Sequence, residues 1–378
     1  GGSEDGDSGE DTEAPAQPTS LSAAGQASST QSKPISWTAS SDNVGVSYYE
    51  VALGSTGIGS GQNDLFDWTN VGDVTSYQVV NGVDSASLSL SSGTSYVVSV
   101  RAVDSAGNTG DAASVSFSFF EPDDLSDLVL WLDTQDSSTV FSNSGCSSAA
   151  STGGSVSCIA DKSGLNHDFT IDTGSATYDA SVINGFPTLN VSDSSRFEAN
   201  DSTDINTSDV DYRSHYIAFR TGSDVSTRQI LFKEGGGTNG TAFFIESGIL
   251  YIGVWISSAG SSTQRSWLSF SVSANTNYYA GYILDAPGDT FSASLNGTSD
   301  SRAALNGSDL LSHSGDINIG AVDTAIRLTD GSSSSITPVV PHTAEHVMYN
   351  AILDSSQQEM IEDYLACKWQ ISPPADCP

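Results

Sequence analysis

The chain has 378 residues, 37% of them hydrophobic, enough for two or three β-rich domains with ordinary cores. Ser, Thr, Gly, Val, Asp and Asn are abundant while Lys, Arg, Glu and Met are scarce, a balance that favours strands and turns over helices. With 46 acidic against 12 basic residues and a formal net charge of −34, the surface repels polyanions, which excludes nucleic acid as a partner. No run approaches the ~20 apolar residues of a membrane-spanning helix.

Residues 1–18 carry six acidic groups among Gly, Ser and Pro and no apolar periodicity, so they are expected to form a disordered acidic leader. The start Gly1-Gly2-Ser3-Glu4-Asp5-Gly6-Asp7 is similar to the segment that follows the lipid-bearing cysteine of bacterial lipoproteins. A lipid anchor upstream of Gly1 is therefore an expectation, although a vector-derived start accounts for the first two glycines equally well.

From Thr19 short alternating apolar runs are separated by Gly, Asn and Asp turns, at the spacing of a β-sandwich. Ile35-Ser36-Trp37-Thr38-Ala39 reads as an inner strand with Trp37 in the core. Residues 95–104 read as a period-two strand with Tyr96, Val98, Val100 and Ala102 on one face. Tyr96, just after a Gly-Thr turn, has the placement of a tyrosine corner. Residues 37–51 and 100–108 make residues 19–120 resemble a bacterial fibronectin type III domain, which implies an immunoglobulin-like sandwich serving as a spacer or adhesion module. Asp42 and Asp104 are read as turn braces.

A break at Phe120-Glu121-Pro122-Asp123-Asp124 precedes a second pattern that opens with Leu128–Leu132 and runs through many short strands. Four cysteines fall as two close pairs, and local pairing of Cys146 with Cys158 and of Cys367 with Cys377 closes short loops. The spacings are not C-x2-C and no His flanks them, so disulfides in an oxidising compartment are preferred to zinc. Residues 355–369 read as a helix with Ser355 and Gln358 as a capping box, Met360, Ile361, Tyr364, Leu365 and Trp369 as its apolar stripe, and Pro373-Pro374 as its stop.

Trp131-Leu132-Asp133, Asp161-Lys162-Ser163-Gly164, Phe186-Pro187-Thr188-Leu189, Leu295-Asn296-Gly297-Thr298 and the stretches 344–353 and 364–369 make residues 124–378 resemble the laminin-G-like, concanavalin A-like lectin/glucanase superfamily. The fold expected for the whole chain is thus all-β: an immunoglobulin-like β-sandwich followed by a concanavalin A-like jelly-roll sandwich with one C-terminal helix.

Three catalytic patterns fail. His342-Thr343-Ala344-Glu345-His346 spells the H-x-x-E-H order of some zinc peptidases, but Pro338 and Pro341 before it and apolar residues after it favour a strand. Positions four apart in a strand are separated by about 13 Å and cannot share one zinc. The E-x-D-x-x-E strand that places paired carboxylates in glycoside hydrolases of this superfamily does not occur among the 11 Glu. Gly235-Gly236-Gly237 lacks the Lys-Ser/Thr and helix of a phosphate cradle.

Two places are left for a binding site. In residues 250–256, Leu250, Ile252, Val254 and Ile256 are expected to face the core, leaving Tyr251, Gly253 and Trp255 as an open platform for a sugar ring. The resemblance also implies a calcium site on the loop rim, for which Asp161 is the first candidate and Asp133, Asp323, Asp330 and Glu345 are helpers; capping of the Ser163-Gly164 turn is the other reading of Asp161. The expected function is non-catalytic cell-surface adhesion, binding a glycan or a surface protein of another cell or matrix. A structural component of a matrix or fibre is the alternative, followed by a polysaccharide hydrolase. The expected location is extracellular or cell-surface, as an outer-membrane lipoprotein.

Overall fold

The structure is a computed structural model that describes residues 10–23, 33–54, 63, 65–79, 90–257, 264–321, 325–334 and 341–374. The chain divides into two compact units, one of Gly1–Asp124 together with Pro373–Pro378 and the other spanning Leu125–Ser372. Both are built from antiparallel sheets, and one α-helix, α1 (Ser355–Trp369), stands near the C-terminal end of the described residues. The fold is all-β with one C-terminal helix, as the turn-rich composition implies.

The first unit contains β1 (Thr19–Ser22), β2 (Lys33–Thr38), β3 (Val46–Gly54), β4 (Phe66–Gly72), β5 (Ser76–Val79), β6 (Ser95–Asp104) and β7 (Ala113–Ser118). One sheet has the order β1-β2-β5 and the other β4-β3-β6-β7. Alternation decides which side chains meet between them: Ile35 and Trp37 of β2 pack with Tyr49, Val51 and Leu53 of β3 and with Tyr96, Val98 and Val100 of β6. Trp37 lies 5.4 Å from Tyr49, ring centre to ring centre. The Tyr96 hydroxyl accepts a bond from the Ser91 amide at 2.6 Å, the tyrosine corner expected from its position.

The segment before β1 differs from the expected tether. From Glu10 it is described, and polar groups of backbone and side chain fix it to the unit: the Ala16 amide donates to Ser41 O at 2.9 Å and Gln17 Nε2 to Ala112 O at 2.7 Å. Pro15 and Pro18 are buried in the same segment. Loop side chains and carbonyls that no periodicity analysis reads meet its polar groups, as where Asn108 Nδ2 donates to Asp11 O at 2.9 Å.

The second unit has a nine-stranded and an eight-stranded sheet. The first runs Gln264–Ser271, Ile249–Ile256, Gly240–Glu246, Gln229–Gly235, Ile317–Gly320, Arg196–Ala199, Phe169–Thr173, Cys158–Ile159 and Val140–Phe141. The second runs Ala176–Ile183, Phe186–Val191, His342–Tyr349, Tyr212–Arg220, Asn277–Asp285, Thr290–Leu295 and Thr298–Ala303, with Leu128–Asp133 also paired to His342–Tyr349. Leu250, Ile252, Val254 and Ile256 enter one core with Ile217, Phe219, Ala280 and Leu284, as the alternation of residues 250–256 requires.

Helix α1 spans the expected residues, Ser355–Trp369, but its cap lies one residue earlier than the sequence signals imply. Asp354 is the N-cap, its carboxylate accepting from the Ser356 and Gln357 amides at 2.9 Å, and the Gln357 side chain accepts from the Asp354 amide at 3.0 Å. The Ser355/Gln358 capping box is corrected to Asp354/Gln357, because a carboxylate accepts from two amides where a hydroxyl would serve one. Ile361, Tyr364, Leu365 and Trp369 are buried as expected, whereas Met360 is 41% exposed and lies outside the stripe. Cys146 and Cys158 form a disulfide with Cα atoms 5.5 Å apart. Cys367 is disulfide-bonded and Cys377 lies outside the described residues.

Candidate functional site

The antiparallel register sets the outer face of the nine-stranded sheet. Tyr251, Gly253 and Trp255 stand opposite Phe244, Ala242 and Gly240 on one side and Ser269, Trp267 and Arg265 on the other. Gly253, Ala242 and Gly240 leave a shallow trough, and indole rings fill it. Trp255 and Trp267 stack with centroids 5.6 Å apart and planes 16° apart, and Trp255 Nε1 donates to Gly236 O at 2.7 Å. Ile326 and Leu328 belong to the same buried cluster.

Trp255 is therefore 0% exposed and cannot be half of a sugar platform, contrary to the reading of residues 250–256. Burying a large aromatic against a second aromatic is worth more than leaving it in water, and its N–H is satisfied by a carbonyl. Tyr251 does stay partly open. One face of its ring stacks on Phe244 at 4.9 Å, and the residue lines a cleft of about 590 Å3.

That cleft is lined by Tyr251, Trp267, Gln264, Arg265, Arg302 and Asn306, among others, and by no carboxylate among the described residues. Arg265 Nε donates to Thr329 O at 3.0 Å and Arg302 Nη1 to Trp267 O at 2.9 Å, so each guanidinium is fixed by one backbone carbonyl and keeps further donors. Two of the chain's 12 basic residues converge here, in a protein with 46 acidic ones. Trp267, Arg265 and Arg302 were not singled out from the sequence. The readable signal was Gly253, whose missing side chain marks where a neighbouring ring crosses the strand.

The proposed calcium ligands do not come together as a cage. Asp161 is consumed by local bonds: Oδ1 accepts from the Trp131 and Ser163 amides, both at 2.9 Å, and Oδ2 from Ser163 Oγ at 2.6 Å and the His167 amide at 3.0 Å. Turn bracing is thus its role. Asp330 is exposed and caps Ser332 through the amide at 2.8 Å and the hydroxyl at 2.7 Å. Asp323 lies outside the described residues.

Asp133 and Glu345 do meet, but around Lys368. Lys368 Nζ lies 2.7 Å from Asp133 and 3.1 Å from Glu345, and Lys162 adds a contact to Asp133 at 3.2 Å. Glu345 also accepts from Trp131 Nε1 at 2.8 Å, Trp369 Nε1 at 2.6 Å and Tyr364 OH at 2.8 Å. Burial acts to raise the Asp133 carboxyl, but the two ammonium groups outweigh it and hold it below the usual carboxylate range. For Glu345 burial wins over Lys368 and pushes the carboxyl up, with Asp133 reinforcing the shift. This network binds helix α1 to the strands Leu128–Asp133 and His342–Tyr349.

The H-x-x-E-H stretch is a strand, His342–Tyr349, as its flanking residues imply. His346 is buried with Nδ1 3.4 Å from His215 Nε2, and burial lowers its imidazole to about 3. Cys146, Cys158 and Asp168 cluster closely, but both sulfurs are spent in the disulfide.

A second cleft of about 720 Å3 is lined by Tyr216, Tyr279, Ser294, Asp300, Glu359 and Glu362, among others. Burial pushes the Glu362 carboxyl up, and it accepts from Ser294 Oγ at 2.5 Å.

No family model matches the chain. Chitinase A1 of Niallia circulans is 36% identical over 106 residues, which is 28% of this chain and 12% of that protein. The binding domain of botulinum neurotoxin serotype G superimposes with a TM-score of 0.42 at 13% identity, covering 62% of this chain and 50% of that one. A structure of botulinum neurotoxin type C, whose cell entry depends on interaction with two ganglioside molecules, gives 0.44 at 10% identity, covering 64% and 52%. The chain spans about half the length of these structures and about an eighth of the chitinase, so the comparisons assign it to no family.

Proposed function

We propose that this chain is a non-catalytic surface protein that binds carbohydrate through the Tyr251/Trp267 cleft of its second unit. The observation that carries the reading is the composition of that cleft: the partly open Tyr251 beside the largely buried Trp267, with Arg265, Arg302, Asn306 and Gln264 converging and no carboxylate among the described lining residues. The open part of the Tyr251 ring takes the apolar face of a pyranose, amides and guanidinium groups take its hydroxyls, and the two arginines favour a sugar bearing a carboxylate. The resemblances to fibronectin type III and laminin-G-like modules support a spacer followed by a binding module. The disulfide Cys146–Cys158 supports an extracellular setting, and the stretch shared with a chitinase supports polysaccharide surroundings. The ligand is then a glycan of a neighbouring cell or matrix.

An array of neutral and uronate-containing oligosaccharides tests the reading. Binding that falls at least about tenfold in Tyr251→Ala and Arg265→Ala supports it, and the absence of binding to any glycan overturns it. A second reading, polysaccharide hydrolysis, is favoured by one observation: the raised, half-sequestered Glu362 beside Asp300 and Glu359 in the other cleft. Release of reducing ends that is lost in Glu362→Gln would establish it.

A further inference from the structure

The structure assigns a second site, in the first unit: we propose that Asp11, Asp42 and Asp104 bind a calcium ion that clamps the segment before β1 to the sandwich. The three residues come from the N-terminal segment, the turn between β2 and β3, and the end of β6. One carboxylate oxygen of each lies within 4.8 Å of the others. Calcium holds oxygen ligands at about 2.3–2.6 Å, so two oxygens on one ion stand at most about 5 Å apart, and this spacing fits.

Proximity of acids alone would mean little in so acidic a chain. The second observation is that Asp11 Oδ2 and Asp42 Oδ1 are each shut off from solvent and have no hydrogen-bond partner. A buried carboxylate oxygen without a donor is costly, and two of them beside a third carboxylate repel one another. Every other oxygen of the three is used: Asp11 Oδ1 takes Asn43 Nδ2 at 3.0 Å, Asp42 Oδ2 takes the Gly45 amide at 2.7 Å, and Asp104 takes the Ala106 and Asn108 amides at 2.8 Å and Asn108 Nδ2 at 2.7 Å. These bonds fix the carboxylates so that the two orphan oxygens remain for a ligand. Arg101 is committed to Glu50 at 2.7 Å.

The ligand that satisfies such oxygens is a hard cation, and calcium tolerates the irregular, mixed carboxylate set better than magnesium, which demands a near-ideal octahedron. A hollow of about 270 Å3 lined by Glu10, Asp11, Thr12, Glu13 and Asn43 shares Asp11 with the cluster and gives an acidic approach from solvent. The site would act as a staple: Asn108 Nδ2 already reaches the Asp11 carbonyl at 2.9 Å, and the ion adds the charge that the three carboxylates lack.

Calorimetric titration of the chelator-stripped full chain with calcium chloride at physiological ionic strength tests this. One saturable site is expected, weakened at least about tenfold in the Asp11→Asn/Asp42→Asn double variant. Asn preserves the acceptors used in the turns, and in chelator the variant should unfold at the same or a higher temperature than the wild type, because repulsion is relieved. Calcium should then raise the melting temperature of the wild type alone. Absence of saturable uptake, or uptake unchanged in the double variant, would overturn the site. Magnesium binding as tight as calcium would overturn the choice of ion.

Discussion

Gly253 and Trp267 face one another across neighbouring strands so closely that a Cβ on the glycine would sit 2.2 Å from the indole. The strand bond at Gly253 is thus also the floor of the aromatic layer that shapes the cleft. Gly253→Ala must push Trp267 aside. Overpacking of this kind costs about 1–3 kcal/mol, and urea unfolding should show it together with a shift in tryptophan fluorescence and a loss of glycan affinity.

Tyr251 and Trp255 should separate cleanly under mutation. Trp255→Ala opens a cavity and strands the Gly236 carbonyl, so a loss of about 3–5 kcal/mol is expected. Tyr251→Ala, at a half-buried cleft position, should cost much less stability and far more affinity. Chemical denaturation beside glycan titration measures both, and equal effects on affinity would restore the two-aromatic platform.

Lys368 is the hub of the buried charge network, and its removal leaves Glu345 without its ammonium partner. Lys368→Met should destabilise the second unit by about 3–5 kcal/mol. The double change Lys368→Met/Glu345→Gln should cost less than the sum of the singles, because it removes both charges. A double-mutant cycle reads the difference.

Acid should weaken the second unit through its histidine pair. Burial lowers His346 to about 3 and His215 well below its usual value, so the unfolded chain binds protons that the folded chain refuses. The stabilisation is fully present above the unfolded value of about 6.5 and is lost as pH falls toward about 3. His346→Phe should flatten the stability-versus-pH slope in that window by up to about one proton, read from denaturation midpoints at several pH values.

The Cys146–Cys158 bridge closes a loop with a sequence separation of 12, so its removal should cost about 2–3 kcal/mol. Thermal unfolding of the Cys146→Ser/Cys158→Ser variant gives the value directly.

Periodicity and turn residues by themselves determined the sandwiches. Alternation placed Leu250, Ile252, Val254 and Ile256 in one core and Tyr96, Val98 and Val100 in the other, because a side chain's face in a strand depends only on its own position. The same local logic gave turn bracing as one of the two readings of Asp161, beside the calcium reading that the structure does not bear out, and read His342–His346 as a strand. What covers an outward-facing residue is a different matter, since it is set by strands and loops distant in sequence. Trp255 was read as open because nothing near it in the chain revealed Trp267 twelve residues on or Ile326 and Leu328 beyond. Asp133 and Glu345 were read as metal ligands because the ammonium that claims both arrives on a helix more than twenty residues after the second. Tertiary packing likewise turned Asp11 from part of a tether into a neighbour of Asp42 and Asp104. Long-range register and charge pairing, which residue spacing does not encode, decided where the clefts and the carboxylate cluster lie.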